Sequence, residues 1–418
     1  MGTMAKIDDS VKKKDPELRF PGFTDDWEER KLGELTTSFS GGTPSAGNSS
    51  YYKGDIPFIR SGEINSDKTE LFLTEAGLKS SSAKMVSVGD ILYALYGATS
   101  GEVGISQING AINQAILAIK PCDGYNSHFL MQWLKLKKQK IIDQYLQGGQ
   151  GNLSGSIVKN LVLKVPNFEE QKKIGAFFKQ LDDTITLHQR KLDLLKEQKK
   201  GFLQKMFPKN GAKVPELRFA GFADDWEERK LIDIAGNISD GDWIEANHIF
   251  DTGDYRIVQT GNIGIGSFLD KLQNAKYFYQ ADFDELKANE IFPGDILISR
   301  LSDPAGRTSI LPDLGVRAVT AVDVAIIRPN DNFHAEFLVA ELNSSTILAK
   351  VDSLASGSTR KRISRKNLEG IQINLPTLEE QQKIGSFFKQ LDDTIALHQR
   401  KLDLLKEQKK GFLQKMFV

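Results

Sequence analysis

The sequence contains a single cysteine, Cys122, among its 418 residues. This excludes an internal disulfide and a metal site built from several cysteines, and it is typical of a protein from a reducing compartment such as the cytoplasm. No apolar run approaches the roughly 20 residues that a helix needs to cross a bilayer. The N-terminal residues 1–15 are polar and lack the apolar core of a signal peptide, so we expect a mobile lead.

Net charge is also lacking, because 55 basic residues balance 55 acidic ones. The overall charge therefore neither favours nor excludes a nucleic-acid partner, and any basic surface has to be local. Five histidines in the whole chain give little support to a metal-dependent catalytic centre.

The motifs of common enzymes are missing as well. GTPSAGNS at 42–49 resembles a phosphate-binding loop, but Asn48 stands where that loop requires a lysine. No G-x-G-x-x-G opens a nucleotide-binding fold. We therefore expect no catalysis by this chain, and no cofactor or metal of its own.

What the sequence has instead is a duplication. PELRFPGFTDDWEERKL at 16–32 returns, with two differences, at 215–231, an offset of 199 positions. The segment 169–207 returns, with three differences, at 379–417, an offset of 210. The stretches between these repeats differ strongly in sequence, which indicates two related units on one repeated frame.

The differing stretches share a pattern of short apolar runs bounded by glycine and proline. IPFIRSGEI at 56–64 aligns with YRIVQTGNI at 255–263, and GDIL occurs at both 89–92 and 294–297. Such runs, rich in β-branched residues, predict strands. We expect an α+β protein with two mixed α/β domains, joined by two long antiparallel coiled-coil helices with pseudo-twofold symmetry. The predicted segments are a lead at 1–15, a first domain at 16–167, a helix at 168–207, a linker at 208–214, a second domain at 215–377 and a helix at 378–418.

The repeated helix carries apolar residues at alternating steps of three and four, which is the seam of a coiled coil. A lone helix of this kind cannot bury its seam, and the nearest partner is its own copy, running antiparallel. Lys199 and Lys409 occupy seam positions from which they can extend their ammonium groups to solvent. The other predicted seam residues are Ile174, Phe178, Leu181, Ile185, His188, Leu192, Leu195, Phe202, Met206, Ile384, Phe388, Leu391, Ile395, His398, Leu402, Leu405, Phe412 and Met416.

His188 and His398 stand at the middle of the predicted seam. They could form a pH switch or a metal pair. The alternative, which we favour, is that they are polar seam positions that fix the register of the two helices.

Polar, glycine-bearing loops recur at matching places in the two domains. Arginine, lysine, serine and threonine in such loops suit contacts to phosphate, and arginine, asparagine and glutamine can contact base edges. Any one such loop is more simply a turn, but two matched sets predict a nucleic-acid interface. The candidate DNA-binding residues are Thr43, Ser45, Tyr51, Arg60, Ser61, Tyr96, Thr99, Asn113, Gln114, Gln150, Asn152, Trp243, Gln259, Thr260, Asn262, Arg300, Arg307, Ser358, Thr359, Arg360, Lys361, Arg362, Arg365 and Lys366.

Several of these segments together resemble a known family. GGTPS and GDIPFIRSGEI (41–64), LYALYGATSGEVGI (92–105) and the repeated Pro-x-x-Glu-Glu-Gln helix start are similar to specificity (S) subunits of type I restriction–modification enzymes. The resemblance covers nearly the whole chain. Where the first domain has SGGTPS, the second has SDGDWIEANH (239–248), so it departs from the pattern there.

The resemblance implies a DNA-recognition subunit without catalysis. Each domain would read one half of a bipartite, asymmetric double-stranded site, and the helices would set the spacer between the halves. Two methyltransferase subunits would dock on the helices and methylate adenine, and restriction subunits would join through them. S-adenosylmethionine, ATP and magnesium are expected on those partners. No membrane partner is expected. The alternative is a coiled-coil adaptor that binds proteins only.

Overall fold

The computed structural model describes residues 16–145, 152–209, 211–301, 304–357 and 360–417. The chain divides into two compact units. Unit 1 consists of Met1–His188 with Lys401–Val418, and unit 2 of Gln189–Arg400. Each unit therefore holds one of the two predicted domains together with part of each long helix.

Unit 1 contains a mixed set of short strands and helices followed by the first long helix. Its elements, in chain order, are β1 (Glu28–Lys31), α1 (Leu32–Leu35), β2 (Thr36–Ser40), β3 (Tyr52–Ile59), β4 (Phe72–Leu73), α2 (Glu75–Lys79), β5 (Lys84–Val86), β6 (Ile91–Ala94), β7 (Val103–Ile105), β8 (Gly110–Ile112), β9 (Ile116–Pro121), α3 (Ser127–Tyr145), α4 (Gly155–Lys159), β10 (Val162–Val165) and α5 (Phe168–Lys205), which continues into unit 2.

Two four-stranded sheets form the body of unit 1. One has the antiparallel order β2-β9-β6-β7, and the other has the order β4-β3-β8-β5, in which β3 and β8 are parallel. Strand β1 pairs with β10 in a separate ribbon. Strand β6 is buried at every position, which explains why its sequence is continuously apolar instead of alternating.

Unit 2 repeats this element order. Its elements are β11 (Glu227–Lys230), α6 (Leu231–Ala235), β12 (Ile238–Asp240), β13 (Tyr255–Val258), β14 (Lys276–Phe278), α7 (Gln280–Leu286), β15 (Glu290–Ile291), β16 (Ile296–Ser299), β17 (Thr308–Ile310), β18 (Arg317–Thr320), β19 (Val324–Ile327), α8 (Ala335–Leu342), α9 (Ser345–Leu354), α10 (Arg365–Glu369), β20 (Gln372–Leu375) and α11 (Leu378–Met416), which continues into unit 1.

The sheets of unit 2 have the same topology as those of unit 1. Their orders are β12-β19-β16-β17 and β14-β13-β18-β15, with β13 and β18 parallel, and β11 pairs with β20. The predicted α+β fold with a tandem repeat is therefore confirmed. One difference is that α3 of unit 1 corresponds to two shorter helices, α8 and α9, in unit 2.

Both long helices begin with the same capping arrangement. Asn167 Oδ1 accepts a hydrogen bond from the backbone N–H of Glu170, and Thr377 Oγ1 accepts one from Glu380. These caps satisfy amide groups that would otherwise lack a partner in the first helical turn. The buried Glu170 carboxylate pairs with Arg19 at 2.7 Å, and Arg218 pairs with Glu380 in the same way at 2.7 Å.

Within each unit, the start of one long helix packs against the end of the other in antiparallel orientation. In unit 1, the rings of Phe177 and Phe412 lie 5.1 Å apart, and Asp182 pairs with Lys409 further along. In unit 2, Phe202 and Phe387 lie 5.0 Å apart. Every predicted seam residue is buried or half-buried.

A cluster of aromatic rings closes each core. In unit 1, Phe417, which follows α11, lies 5.1 Å from Phe129, 5.9 Å from Phe178 and 6.3 Å from Trp27, measured between ring centroids. In unit 2, Phe207 after α5 takes the equivalent place. Each core is thus completed by the end of the helix that began in the other unit. No helix in the described part of the chain is long and apolar enough to cross a membrane.

Candidate nucleic-acid interface

Strand register brings the polar loops of unit 1 to one end of its sheets. The last residue of β2, Ser40, is opposite Leu117 near the start of β9, and the last residue of β6, Ala94, is opposite Ile116. In the second sheet, the parallel strands β3 and β8 both end at this side, where Ile59 is opposite Ile112. The loops that follow β2, β3, β6 and β8 therefore meet. We call this end the loop edge of unit 1.

Backbone hydrogen bonds join these loops into a continuous surface. The N–H of Gly42 donates to the carbonyl of Ile112 at 3.2 Å, and the N–H of Leu153 donates to Leu95 at 2.8 Å. A Cβ on Gly41 would lie 1.9 Å from the carbonyl oxygen of Ile112, so only glycine permits this approach. The loop edge is thus held by main-chain contacts that leave its side chains available for a ligand.

Unit 2 builds the same edge with different side chains. Asp242 N–H donates to the carbonyl of Thr320 at 2.8 Å, and Ile363 N–H donates to Arg300 at 3.0 Å, as Gly42 and Leu153 do in unit 1. Asp240 ends β12, and Ser299 ends β16 opposite Val324. The loops after β12, β13, β16 and β18 form the loop edge of unit 2.

At the loop edge of unit 1, hydroxyl and amide groups predominate among the candidates. Thr43 Oγ1 donates to Gln114 Oε1 at 2.5 Å, which holds the exposed Gln114 amide in place. Tyr96 and Asn152 face each other in an antiparallel β-bridge. These neutral groups can donate and accept hydrogen bonds at base edges.

Arg60, at the same edge, is held by two glutamates. Its Nη2 donates to Glu63 Oε1 at 2.7 Å and lies 3.6 Å from Glu70. Burial alone would raise the pKa of Glu63, but hydrogen bonds from Arg60 outweigh it, so that pKa is lowered. The pair is therefore ionised at neutral pH.

At the loop edge of unit 2, charged groups form a network. Asp240 lies 3.2 Å from the Arg300 guanidinium and 3.7 Å from that of Arg365, while Arg362 Nε lies 2.8 Å from Asp323 Oδ1. Burial lowers the pKa of Arg300, and Asp240 partly opposes this effect. The sequence analysis did not single out Asp240 and Asp323, because only the folding of unit 2 brings these carboxylates beside the arginines.

Trp243 extends from the loop after β12. Its neighbour Asp242 accepts hydrogen bonds from the backbone and side-chain amides of Asn289 at 2.7 and 2.9 Å, and Ile244 packs against the core around Tyr255. Trp243 itself is 73% exposed. A large aromatic side chain fixed between two anchored residues can stack on or wedge between bases.

Comparison with known proteins gives the two units a common family. Residues 24–197 and 223–407 each match the family described as Type I restriction modification DNA specificity domain. The chain belongs to this family of type I specificity subunits. The predicted resemblance is therefore confirmed.

Named relatives and solved structures match nearly the whole length of this chain. The MjaVIII type I specificity subunit of Methanocaldococcus jannaschii is 22% identical over 95% of this chain and 92% of its own. The crystal structure of the S subunit from M. genitalium matches 97% of this chain and 99% of its own, with a TM-score of 0.67 and 15% identity, which shows a shared fold. A structure described in connection with complex assembly of the type I R-M system matches 96% and 99%, at a TM-score of 0.50 and 18% identity. The relative is named as a specificity subunit, consistent with a role outside catalysis.

Three of the DNA-binding candidates do not present an exposed side chain at the loop edges of this specificity subunit. Arg300 is only 4% exposed, and its Nη2 donates to the carbonyl of Val322 at 2.6 Å, so it serves the fold. Asn262 is 8% exposed and closes a turn through Gln259 and Leu269. Tyr51 precedes β3, at the opposite end of that strand from Arg60. Burial and strand direction, which decide these three cases, are not visible in a loop sequence.

The other candidates have the following places. Ser45, Ser61, Thr99 and Asn113 are in the loops of the first edge, and Gln259, Thr260 and Arg307 are in those of the second. Arg307 Nη2 donates to the carbonyl of Thr260 at 3.4 Å. Arg360, Lys361 and Lys366 are exposed near Arg362 in sequence, and Lys361 lies 3.5 Å from Asp352. Gln150, Ser358 and Thr359 lie outside the described residues.

One group of side chains has the composition of a metal site. His248, Asp282 and Glu285 place ligand atoms within 4.8 Å of one another, and His248 Nδ1 lies 2.6 Å from Asp282 Oδ1. Helix α7, which carries both carboxylates, follows β14, whose last residue Phe278 is opposite the start of β13. The group is therefore at the opposite end of the sheet from the loop edge of unit 2.

Proposed function

We propose that each unit reads one half of a bipartite, asymmetric double-stranded DNA site through its loop edge. The observation that carries this proposal is the equivalence of the two edges. Equivalent strands and equivalent main-chain hydrogen bonds build both edges. One edge bears the neutral pair Thr43–Gln114, and the other bears the ion pair Arg362–Asp323. Two equivalent surfaces with different side chains suit two different half-sites.

The charge distribution supports a division between phosphate and base contacts. Arg360, Lys361 and Lys366 are exposed beside the second edge, where positive charge attracts the phosphate backbone. Gln114 and Asn152 at the first edge are exposed amides of the kind that contact adenine.

The long helices set the spacer between the half-sites in this proposal. Helix α5 has 38 residues and α11 has 39, so each is about 57 Å long at 1.5 Å per residue. Matched insertions of one heptad in both helices are expected to lengthen the spacer and leave both half-sites unchanged. Methylation sequencing that showed altered half-sites with the old spacer would contradict this role.

The same helices dock two methyltransferase subunits. Exposed leucines recur at equivalent positions, with Leu187 67% and Leu397 61% exposed, and exposed apolar side chains of this kind suit a protein partner. Repeated exposed apolar residues favour two copies of one partner. Adenine methylation with S-adenosylmethionine then belongs to those subunits, and restriction subunits using ATP and magnesium join through them, in the cytoplasm.

A domain exchange tests the division of labour. Residues 33–165 are replaced by the corresponding segment of another specificity subunit, the chain is co-expressed with its methyltransferase, and methylated motifs are sequenced. We expect one half-site to change and the other to remain. A change of both halves would rule out two independent reading domains.

The adaptor alternative, in which the chain binds only proteins, is separated by a salt titration. Arg360→Ala with Arg362→Ala is expected to weaken DNA binding by the assembled complex and to make the dependence of log affinity on log salt shallower. An adaptor without DNA contacts predicts unchanged binding. A control is the change of exposed Lys287, on the turn after α7, to Ala.

A further inference from the structure

We infer that residues 362 and 152 are the same base-reading position in the two units, with Arg362 selecting guanine and Asn152 selecting adenine. The inference rests on the proposed reading function and assigns a base class to one position of each half-site.

Main-chain geometry establishes the equivalence. Asn152 forms an antiparallel bridge with Tyr96, just after β6, and Arg362 forms one with Leu301, just after β16. The following residues also correspond, because Leu153 N–H donates to Leu95 and Ile363 N–H donates to Arg300. Ser154 and Ser364 then cap the next helices, α4 and α10. The backbone fixes both side chains at one place on the loop edge.

Their surroundings differ in a way that suits two bases. Asp323 lies 2.8 Å from Arg362 Nε, and its own carbonyl accepts a hydrogen bond from Arg300 N–H at 2.8 Å. In unit 1 the carbonyl at that place belongs to Ala115, which accepts from Leu95 N–H at 2.8 Å. The position thus carries a carboxylate where the reader is arginine and a methyl group where it is asparagine.

The difference between Asp323 in unit 2 and Ala115 in unit 1 has a chemical reason. The Asp323 carboxylate sets a negative charge beside Nε, and the Nη groups of Arg362 have no other side-chain partner among the residues that the structure describes. Two N–H groups of a guanidinium fit O6 and N7 of guanine, and an ion pair that restrains the arginine side chain reduces the entropy lost on binding. An asparagine amide pairs with N6 and N7 of adenine and has no need of the carboxylate.

Other arginines of this edge are less suited to base reading. Arg300 is buried, and Arg365 lies between two carboxylates, at 3.7 Å from Asp240 and 3.3 Å from Glu369. Arg362 has 43% of its side chain exposed and a single carboxylate partner. The geometry therefore points to Arg362.

The test gives unit 2 the residues that unit 1 has at the two equivalent positions, Asn152 and Ala115. The double variant Arg362→Asn with Asp323→Ala is assembled with its methyltransferase, and binding is measured on duplexes in which each guanine of the second half-site is replaced in turn by adenine. We expect the preference for guanine over adenine at one position to fall at least about five-fold, with the first half-site read as before.

Arg362→Lys and Arg317→Asn complete the design. Lysine retains the charge but not the forked geometry, so discrimination at the same position should fall while overall affinity is largely kept. Arg317, at the start of β18 and paired with Glu290, lies at the far end of that strand, so its loss should leave discrimination unchanged.

A contact to phosphate alone would give a different result. It would weaken binding to every duplex by the same factor in the double variant, with full discrimination in Arg362→Lys, and would overturn the assignment. This failure is distinct from failure of the proposed function, in which the wild-type complex itself would show no bipartite preference across the same duplexes.

Discussion

Lys199 Nζ lies 2.6 Å from Asp392 Oδ1, and in the other unit Lys409 Nζ lies 2.5 Å from Asp182 Oδ1. Each pair joins the two long helices within one unit, and the two pairs are exchanged by the 210-residue offset of the repeat. Lys199 and Lys409 were expected to extend out of the seam to solvent. They are instead only 13% and 15% exposed at their side chains, since a carboxylate on the facing helix neutralises them.

Lys199→Met is expected to destabilise unit 2 by about 1–3 kcal/mol at neutral pH, because it leaves a largely buried carboxylate without its partner. Burial raises the pKa of Asp392 and Lys199 opposes this, so the pKa will rise further in the variant. The loss should therefore shrink as the pH falls and Asp392 is protonated. Urea unfolding across pH measures it.

Lys199→Met with Asp392→Leu provides the control for this pair. Removing both charges should cost less than removing Lys199 alone, since no unpaired carboxylate remains. The variant Lys409→Met should repeat the single-variant result in unit 1. Asp392→Leu is also measured alone. If the double variant loses as much stability as Lys199→Met and Asp392→Leu added together, the two ions do not interact.

Phe417→Ala is expected to destabilise unit 1 by about 3–5 kcal/mol, because the ring fills a space between Trp27, Phe129 and Phe178. Phe207→Ala should do the same to unit 2. Hydrogen exchange of the two variants locates the loss. We expect faster exchange in α3 for the first and in α8 for the second, and the same pattern in both variants would contradict this placement of the helix ends.

Glu341→Gln should make unit 2 more stable at alkaline pH. The carboxyl is 1% exposed, one oxygen accepts from Asn374 N–H at 2.6 Å, and burial raises its pKa to about 8. The folded protein therefore keeps it neutral up to about pH 8, whereas the unfolded chain ionises it above about 4.5. Stability then falls as the pH rises between these values, by at most roughly 1.4 kcal/mol per pH unit.

Glutamine keeps the acceptor for Asn374 and cannot ionise. The advantage of Glu341→Gln over the natural protein should be smallest near pH 4.5, grow with pH and level off above about 8. Thermal unfolding of both proteins at several pH values provides the measurement, and parallel curves would disprove it.

Leu187→Asp and Leu397→Asp test the docking of partners. Both leucines are exposed, so the fold should tolerate the change, but a charge in an apolar interface prevents docking. Native mass spectrometry should find one methyltransferase subunit per chain with either variant and two with the natural protein. Glu197→Ala, an exposed change on the same helix, serves as the control and should retain two.

The outline of the fold could be predicted because its signals are local or repeated. IPFIRSGEI and YRIVQTGNI became β3 and β13, and the two GDIL segments end in β6 and β16. The seam spacing predicted α5 and α11, which begin at Phe168 and Leu378. The periodic apolar residues predicted the helices because a long helix has to bury its seam. The continuous apolar runs predicted strands because a strand covered on both faces is apolar at every position.

The candidate site was only partly predictable. The loops that form the two edges were found from their polar residues and glycines, but Arg300 and Arg362 look alike in the sequence. One is buried against Asp240 and the carbonyl of Val322, and the other is exposed beside Asp323. The strand pairing of β16 with β19, and of Leu301 with Arg362, decides which arginine is buried. This pairing brings together residues that are far apart in the chain.

The sequence by itself determined the duplication, the two long helices and the family. Each of these depends on residue order within one segment or on identity between two segments. Only the tertiary structure decided which side chains share a loop edge, that Lys199 pairs with Asp392, and that Phe417 completes the core around Trp27. The physical reason is that strand register and close packing place groups together irrespective of their separation along the chain, and no local pattern records such a contact.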